Sequence, residues 1–231
     1  MKKNRSQARD IMLSTLSILG LIVVWFLVSN SKPDFFPTPM ATIERFIKLI
    51  EKPVMKISIL GHIFASLKRV MLALIAAIIL GVGIGLVMGW NKKVRAAINP
   101  ILMALRPIPP IAWIPLIILL FGIGEFPKVL LVFIGAFFPI VMNTMSGVSL
   151  VDDMYLKVGK IYKANTGQML RHVVFPAAMP AILAGIKIAI SSGWMVVVAA
   201  EMLSSKSGLG FLINRGRDSY DVALIMVAMI L

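Results

Sequence analysis

The sequence contains no cysteine, and this absence excludes disulfide bonds, thiolate metal ligands and cysteine nucleophiles. Its only two histidines, His62 and His172, lie far apart in the sequence without neighbouring carboxylate or imidazole ligands, so we predict no metal site. It has no GxxxxGK(S/T) phosphate-binding loop, which predicts that any nucleotide site lies on another chain. Paired carboxylates that could serve one catalytic site are also missing, so the sequence does not favour an enzyme.

Acidic residues are scarce: ten Asp and Glu face 24 Lys and Arg, and the net charge is +14. The basic residues sit mainly in short runs between apolar stretches, which indicates anchoring at lipid headgroups rather than binding to nucleic acid. Apolar residues make up 59% of the chain and the mean hydropathy is +0.92, which is more apolar surface than one soluble core of this length can bury. The composition therefore predicts an integral membrane protein.

Apolar runs of about 20 residues predict the spans, because that length crosses a bilayer. The first run, Ile11 to Ser29, follows a basic tail at residues 1–10 and is too long for a signal peptide, so we predict a retained anchor. The sixth begins near Val222 and stops at Leu231, half way across, so we expect the end of the last helix to be missing. Residues 11–231 are thus predicted to form one transmembrane domain. The other spans are predicted at residues 67–90, 98–121, 129–151 and 181–203.

Short basic segments predict the orientation of these spans. The N-terminal tail and the turn at residues 91–95 are both strongly basic, and both lie inside if the N-terminus is cytoplasmic. This topology places residues 152–180 in the cytoplasm and residues 30–66 and 204–220 outside. Within the first outer segment, apolar residues recur at helical spacing from Ala41 to Ile50, which predicts a short interfacial helix.

The third predicted span contains four prolines within RPIPPIAWIP, at residues 106–115. Proline lacks a backbone donor and its ring clashes with the carbonyl four residues earlier, so a regular helix must break here. Broken backbone is tolerated at membrane depth only where protein buries it or where it lines a cavity, so this segment is a candidate wall of a translocation path. The candidate residues are Arg106, Pro107, Pro109, Pro110, Trp113 and Pro115.

Small residues and isolated charges mark other positions in the spans. Small residues recur every fourth position in the second and fifth spans, which predicts close helix packing and leaves open a packing surface around a moving gate. Arg106, Lys187 and Glu201 lie within apolar stretches, where an ionised group must be paired, hydrated or extended to a headgroup. The glycines predicted to pack closely are Gly81, Gly85, Gly89, Gly185 and Gly193.

The cytoplasmic segment 152–180 has an amphipathic pattern. After the N-cap candidates Asp152 and Asp153, apolar residues share one helical face and lysines share the other. A turn at residues 165–167 precedes a second helix, Gln168 to Val174, which Phe175-Pro176 is expected to stop. The apolar face could lie on lipid or contact a soluble partner. The apolar positions include Met154, Tyr155, Val158, Ile161 and Tyr162, and the basic positions are Lys157, Lys160 and Lys163.

These features together resemble the membrane subunits of ATP-binding-cassette importers, in the branch for nitrate, aliphatic sulfonates and taurine. The resemblance covers nearly the whole chain, and the order and spacing of its motifs carry it. The segment from Lys157 to Pro176, with its turn glycine Gly167, resembles the loop that couples such subunits to their ATPase. It departs from the family pattern where Lys157-Val158-Gly159 replaces Glu-Ala-Ala and where Lys163 replaces a glycine. The motifs are Pro37-Thr38-Pro39, RPIPPIAWIP with Phe121 to Glu125, Gly135 to Pro139, Pro176 to Pro180, Ala199 to Leu203, and Ser207 to Phe211.

The resemblance implies an all-α, type I importer permease fold and a place in a prokaryotic plasma membrane, the inner membrane in a Gram-negative cell. It implies two separate ATPase subunits that hold ATP and Mg, an extracytoplasmic binding protein that delivers the solute, and a second copy of the permease in a homodimer. No cofactor is expected on this chain. Arg106 would suit an anionic solute such as a sulfonate, nitrate or carboxylate. Motion of the ATPases would pass through the coupling segment to the spans.

Two other classes remain as alternatives. An ion-coupled secondary transporter or channel would also use a broken helix, but it would usually carry paired carboxylates within its spans. Only Glu125 and Glu201 qualify, and both lie near predicted span ends. A membrane enzyme would need a catalytic constellation that the sequence does not show.

Overall fold

A computed structural model describes residues 2–31 and 35–231, with side chains described except at residues 2–10 and 204. All regular structure in these residues is helical, and no strand occurs among them. This confirms the predicted all-α membrane fold. The described chain forms two compact units, one comprising the residues up to His62 with Leu212–Leu231, and the other Ile63–Phe211.

The first unit contains α1 (Lys2–Ser31), α2 (Pro39–Glu51) and α11 (Val222–Ile230), together with most of α10 (Leu209–Asp218). The side chain of Thr38 caps α2 by accepting a hydrogen bond from the Ala41 amide, as a residue of this type does before a helix with proline at its first position. Arg45 on α2 donates to the Asp221 carboxylate at 2.6 Å, and Asp221 also caps α11. The helix predicted at residues 41–50 is therefore present as α2, joined to α11 by an ion pair.

The second unit is built around three long helices: α3 (Ile59–Trp90), α6 (Glu125–Ser149) and α9 (Phe175–Ser204). Alanines and β-branched residues on their facing sides are fully buried, which allows the backbones to approach closely. Shorter helices cover parts of this core. These are α4 (Lys92–Leu105), α5 (Ile114–Phe121), α7 (Asp153–Ile161) and α8 (Thr166–Met169).

Four helices in the described ranges are long and apolar enough to cross a membrane: Ile11–Ser31, Ile59–Trp90, Glu125–Ser149 and Thr166–Leu203. They correspond to the predicted first, second, fourth and fifth spans. A fifth crossing is possible if the bent pair α4 and α5 counts as one span. The sixth predicted span begins as expected at Val222, but α11 has nine residues, too few to cross a bilayer.

The proline-rich segment breaks its span as predicted. Helix α4 ends at Leu105, a 3-10 turn covers Pro110–Trp113, and α5 begins at Ile114. The axes on the two sides of the break differ by 86°. Each proline removes a donor from the helical ladder, so consecutive prolines leave no register in which the helix could continue.

The prediction that Phe175-Pro176 stops a helix is wrong. Residues Leu170–Val174 form a π-helical turn, and α9 continues from Phe175 without a break. The Phe175 amide donates to the Leu170 carbonyl, five residues back, so the backbone is widened just before Pro176. Pro176 then takes a first-turn position in the new α register, where its missing donor costs little.

Candidate functional sites

The first candidate site is the coupling segment formed by α7 and the turn that follows it. Asp152 caps α7 by accepting from the Met154 amide at 2.8 Å, and Asn165 and Gln168 form a reciprocal capping box at the start of α8. Strong caps at both helix starts fix the two short helices relative to their turn. The segment therefore presents a defined surface.

The apolar residues predicted for docking lie on the exposed side of α7. Ile161 and Tyr162 are about four-fifths exposed (77% and 82%), and Tyr155 and Val158 are also exposed. Tyr155, Val158 and Tyr162, together with the π turn, line a groove of about 740 Å³, and Ile161 lies outside it. The groove is lined by Tyr155, Val158, Gly159, Tyr162, Ala164, Gln168, His172, Val173, Pro176 and Ala177.

Two departures from the expected coupling pattern have structural counterparts. Lys163 has a φ of 53°, a left-handed conformation that favours glycine, so lysine occupies it with backbone strain of about 1 kcal/mol. Gly159 is buried, and a Cβ there would lie 2.6 Å from the sulfur and terminal methyl of Met169. Met169 thus fills the space that a larger residue at 159 would need. Gly167 has no comparable restriction, since an added Cβ would meet only the Asn165 side chain at 3.5 Å.

The second candidate site is the break between α4 and α5. Arg106 is exposed at the C-terminal end of α4 and makes no ion pair with any described residue. Pro107, Pro109 and Pro115 are also exposed, whereas Pro110 packs near Gly135. Trp113 is partly buried against the core, and its indole Nε1 has no hydrogen-bond partner among the described residues. The predicted path residues therefore divide into an exposed group around Arg106 and a group that supports the bend.

The predicted packing glycines lie at helix contacts within the second unit. A Cβ at Gly85 would lie 2.6 Å from the Cβ of Thr144, and Gly81 and Gly89 face α6 in the same way. Gly185 sits against Pro139 and Asn143, also on α6. Gly193 differs, because a Cβ there would make only an ordinary contact with Val132 at 3.4 Å.

A buried charge cluster in the second unit was not predicted from the sequence. Arg69 on α3, with a side chain only 5% exposed, donates to Glu201 at 2.6 Å and to Glu125 at 2.6 and 2.9 Å. Glu201 is fully buried, and Lys128 adds a second cation to Glu125 at 3.0 Å. The cluster therefore joins α3 to the start of α6 and the end of α9 through charge-assisted hydrogen bonds.

The same cluster holds the turn that follows α9. Arg69 donates to the carbonyl and hydroxyl oxygens of Ser207, and the Gly210 amide donates to Glu201 at 3.0 Å. Gly208 has a φ of 115° and leaves no room for a Cβ against the Glu201 carboxylate. The glycines in this turn are required because the backbone wraps directly onto a buried carboxylate.

One signal in the sequence identifies Arg69. It precedes the small residues Ala73, Ala77 and Gly81 by steps of four, so it lies on the buried face of the same helix. A buried arginine requires carboxylates, and within this unit Glu125 and Glu201 are the only ones outside the segment that starts at Asp152. The second span is predicted to start at Leu67, which places Arg69 at the membrane edge and gives no reason to expect buried partners for it. In the structure α3 begins eight residues earlier, so Arg69 lies well within the helix.

Comparison with known proteins finds one matching family model and several related permeases. Residues 77–231 match the family model described as binding-protein-dependent transport system inner membrane component. The taurine transport system permease protein TauC of Escherichia coli K12 is 34% identical over 229 residues, covering 96% of this chain and 83% of the relative. The nitrate import permease protein NrtB of Synechocystis is 34% identical, over 93% of this chain and 80% of the relative. The bicarbonate transport system permease protein CmpB of Synechococcus elongatus is 32% identical, over 100% of this chain and 86% of the relative.

Proposed function

Because this chain belongs to the family of binding-protein-dependent transport system inner membrane components and is a permease subunit of an ATP-binding-cassette importer, we propose that it forms half of the path for a small anionic solute. The observation that carries this proposal is the 86° break between α4 and α5 with Arg106 exposed beside it. An unpaired guanidinium at such a break is suited to bind an oxyanion, since its donors match two oxygens at once.

The names of the relatives support an oxyanion as cargo. TauC, NrtB and CmpB are named for taurine, nitrate and bicarbonate. These solutes share a small size and a sulfonate, nitrate or carbonate-type oxyanion group. A permease with an excess of cations in its spans fits this shared chemistry better than it fits an uncharged solute.

The exposed apolar face of α7 is the proposed contact with a separate ATPase subunit. Ile161 and Tyr162 would insert into a groove of that subunit, because large apolar side chains left in water favour burial at an interface. ATP and Mg would bind to two such ATPase subunits. An extracytoplasmic binding protein would deliver the solute, and a second copy of this chain would complete the path.

We propose that the N-terminus is cytoplasmic. In this orientation α7 lies on the cytoplasmic side, where the ATPases act, and the cluster around Arg69 lies toward the outer ends of α6 and α9. The short basic turn Asn91 to Arg95 also falls inside, as the distribution of positive charge favours. The chain would cross the plasma membrane of a prokaryote several times.

The ion-coupled alternative is not favoured by the structure. Such a transporter needs a carboxylate that can exchange its proton or cation during transport. Glu125 and Glu201 both bind Arg69, and Glu201 is fully enclosed by the turn at residues 207–210. Neither carboxylate is therefore available for coupling in this state.

The test is ATP hydrolysis by this chain reconstituted in liposomes with candidate ATPase and binding-protein partners. Taurine, alkanesulfonates, nitrate and bicarbonate would be compared with uncharged pyrimidines. We expect one oxyanion to stimulate hydrolysis only when its binding protein is present. Stimulation by an uncharged solute alone would refute the anionic cargo, and uptake driven by an ion gradient without ATP would support the alternative.

A further inference from the structure

Lys187 is a cation within the apolar stretch of α9. It lies fifteen residues after His172 and fourteen residues before Glu201, with no other charged side chain between them. At a rise of about 1.5 Å per residue, each of these polar positions is roughly 20 Å away along the helix. A bilayer core is about 30 Å thick, so Lys187 lies near its middle, too deep for a four-carbon stem to reach either headgroup layer.

Lys187 is exposed on the surface of α9. It forms no ion pair or side-chain hydrogen bond with any described residue. Helix α9 buries its opposite face on α6, where Gly185 and Val196 make close contacts. The face with Lys187, Ile188 and Ser191 is left uncovered.

A second copy of this chain cannot neutralise Lys187. The chain has only ten carboxylates, and between residues 67 and 203, outside the segment that starts at Asp152, only Glu125 and Glu201 occur. Both are bound to Arg69. An ionised lysine facing lipid at this depth is strongly disfavoured, so we expect a charged Lys187 to face water or a mobile anion.

We propose that Lys187, with the hydroxyl of Ser191 one turn further along α9, binds the oxyanion group of the transported solute at the middle of the path. This inference rests on the proposed anionic cargo and assigns it a site. Ser191 lies on the same exposed face, and its hydroxyl is directed to the Lys187 carbonyl at 3.4 Å, which places its oxygen at the helix surface beside the lysine stem. If the hydroxyl turns from this long hydrogen bond toward the ligand, it and the ammonium together can donate to two oxygens of a small oxyanion.

The absence of cysteine in this chain permits a direct test, because an introduced thiol is the only one in the chain, on which labelling is scored after the subunits are separated. The Ser191→Cys variant is prepared as the assembled complex in nanodiscs, where both membrane faces are accessible. It is then treated with either of two methanethiosulfonates of similar size, one bearing a sulfonate and the other a trimethylammonium group. We expect both to react. When each rate is divided by the rate of the same reagent with a free thiol in solution, the anionic reagent should be favoured by about tenfold, because the ammonium concentrates anions next to the thiol. Adding Lys187→Gln should abolish that preference, whereas Lys187→Arg should keep it. Leu21→Cys on the exposed face of α1 serves as the control that faces lipid and should react with neither reagent.

A second measurement follows the solute. Lys187→Gln should raise the solute concentration for half-maximal stimulation of ATP hydrolysis by about tenfold, and Lys187→Arg should restore most of it. An unreactive thiol at residue 191 would show that this face is not open to water, and equal rates for the two reagents, each divided by its rate with a free thiol in solution, would show water without an anion site. Either result overturns the assignment. Because labelling requires neither solute nor ATP, these failures are distinguishable from loss of stimulated hydrolysis with every partner, which would instead contradict the proposed function.

Discussion

Replacing Arg69 with methionine should destabilise the second unit more than any replacement of an exposed charge. The substitution removes the guanidinium that binds Glu201 at 2.6 Å and Glu125 at 2.6 and 2.9 Å, and keeps a side chain of similar length. Glu125 keeps its ion pair with Lys128 and its exposure to solvent. Glu201 keeps its hydrogen bonds from the Ser66 hydroxyl and the Gly210 amide, neither of which carries a charge, and it forms no ion pair with a described residue other than Arg69.

The magnitude follows from the burial of the partner left behind. The Glu201 side chain is fully buried, and removal of one member of a buried ion pair typically costs about 3–5 kcal/mol. Arg217 provides the matched control, because its pair with Asp218 is 64% and 52% exposed and contributes less than about 1 kcal/mol. The expected difference between Arg69→Met and Arg217→Met is therefore at least about 2 kcal/mol.

Reversible unfolding in mixed micelles, followed by tryptophan fluorescence, measures this difference, since the chain carries four tryptophans. Glu201→Gln added to Arg69→Met should recover part of the loss, because it removes the uncompensated charge. Equal stabilities for the Arg69 and Arg217 variants would show that Arg69 and Glu201 are not a buried pair in the membrane. Additive losses in the double variant would refute the coupling between them.

Three further predictions concern packing, docking and the path. Gly85→Leu should cost more than about 2 kcal/mol of stability in the same assay, since a Cβ already meets Thr144 at 2.6 Å, whereas Gly83→Leu, with open space around it, should be tolerated. Ile161→Asp should abolish co-purification with the ATPase while Ile161→Val preserves it, and unchanged binding by the aspartate variant would exclude this docking face. Arg106→Ala should lower solute-stimulated hydrolysis at least tenfold with normal assembly, while Arg106→Lys retains part of it; full activity of the alanine variant would remove Arg106 from the path.

Local properties of the sequence were sufficient to place most of the helices. Runs of apolar residues identify α1, α3, α6 and α9, because a segment of that length and composition has one stable arrangement in a bilayer. The proline-rich segment identifies the break between α4 and α5 by the same local reasoning. The size of the bend, 86°, depends on packing of Trp113 and α5 against the core, which no local pattern contains.

Features that could not be predicted from the sequence include the contacts of Arg69, which join residues far apart in the chain. Arg69 binds carboxylates 56 and 132 residues away, so its role emerges only when α3, α6 and α9 are placed together. The continuation of α9 through Pro176 has a different cause. A π turn of five residues shifts the helical register before the proline, and this small change in backbone geometry has no clear signature in residue type.

The pairing of charges also determines which cations are free for function. Arg69 and Lys128 together balance Glu125 and Glu201, so this cluster is electrically neutral. Lys68 near the start of α3, Arg106 and Lys187 are then left without counterions among the described residues of the spans, and the last two are the path candidates. Two such cations in each copy would create a positive potential along a shared path, and a low-dielectric surrounding would strengthen it. If the proposed path is correct, the carboxylates of the described spans serve to hold the fold, and we expect the solute itself to supply the charge that neutralises Arg106 and Lys187.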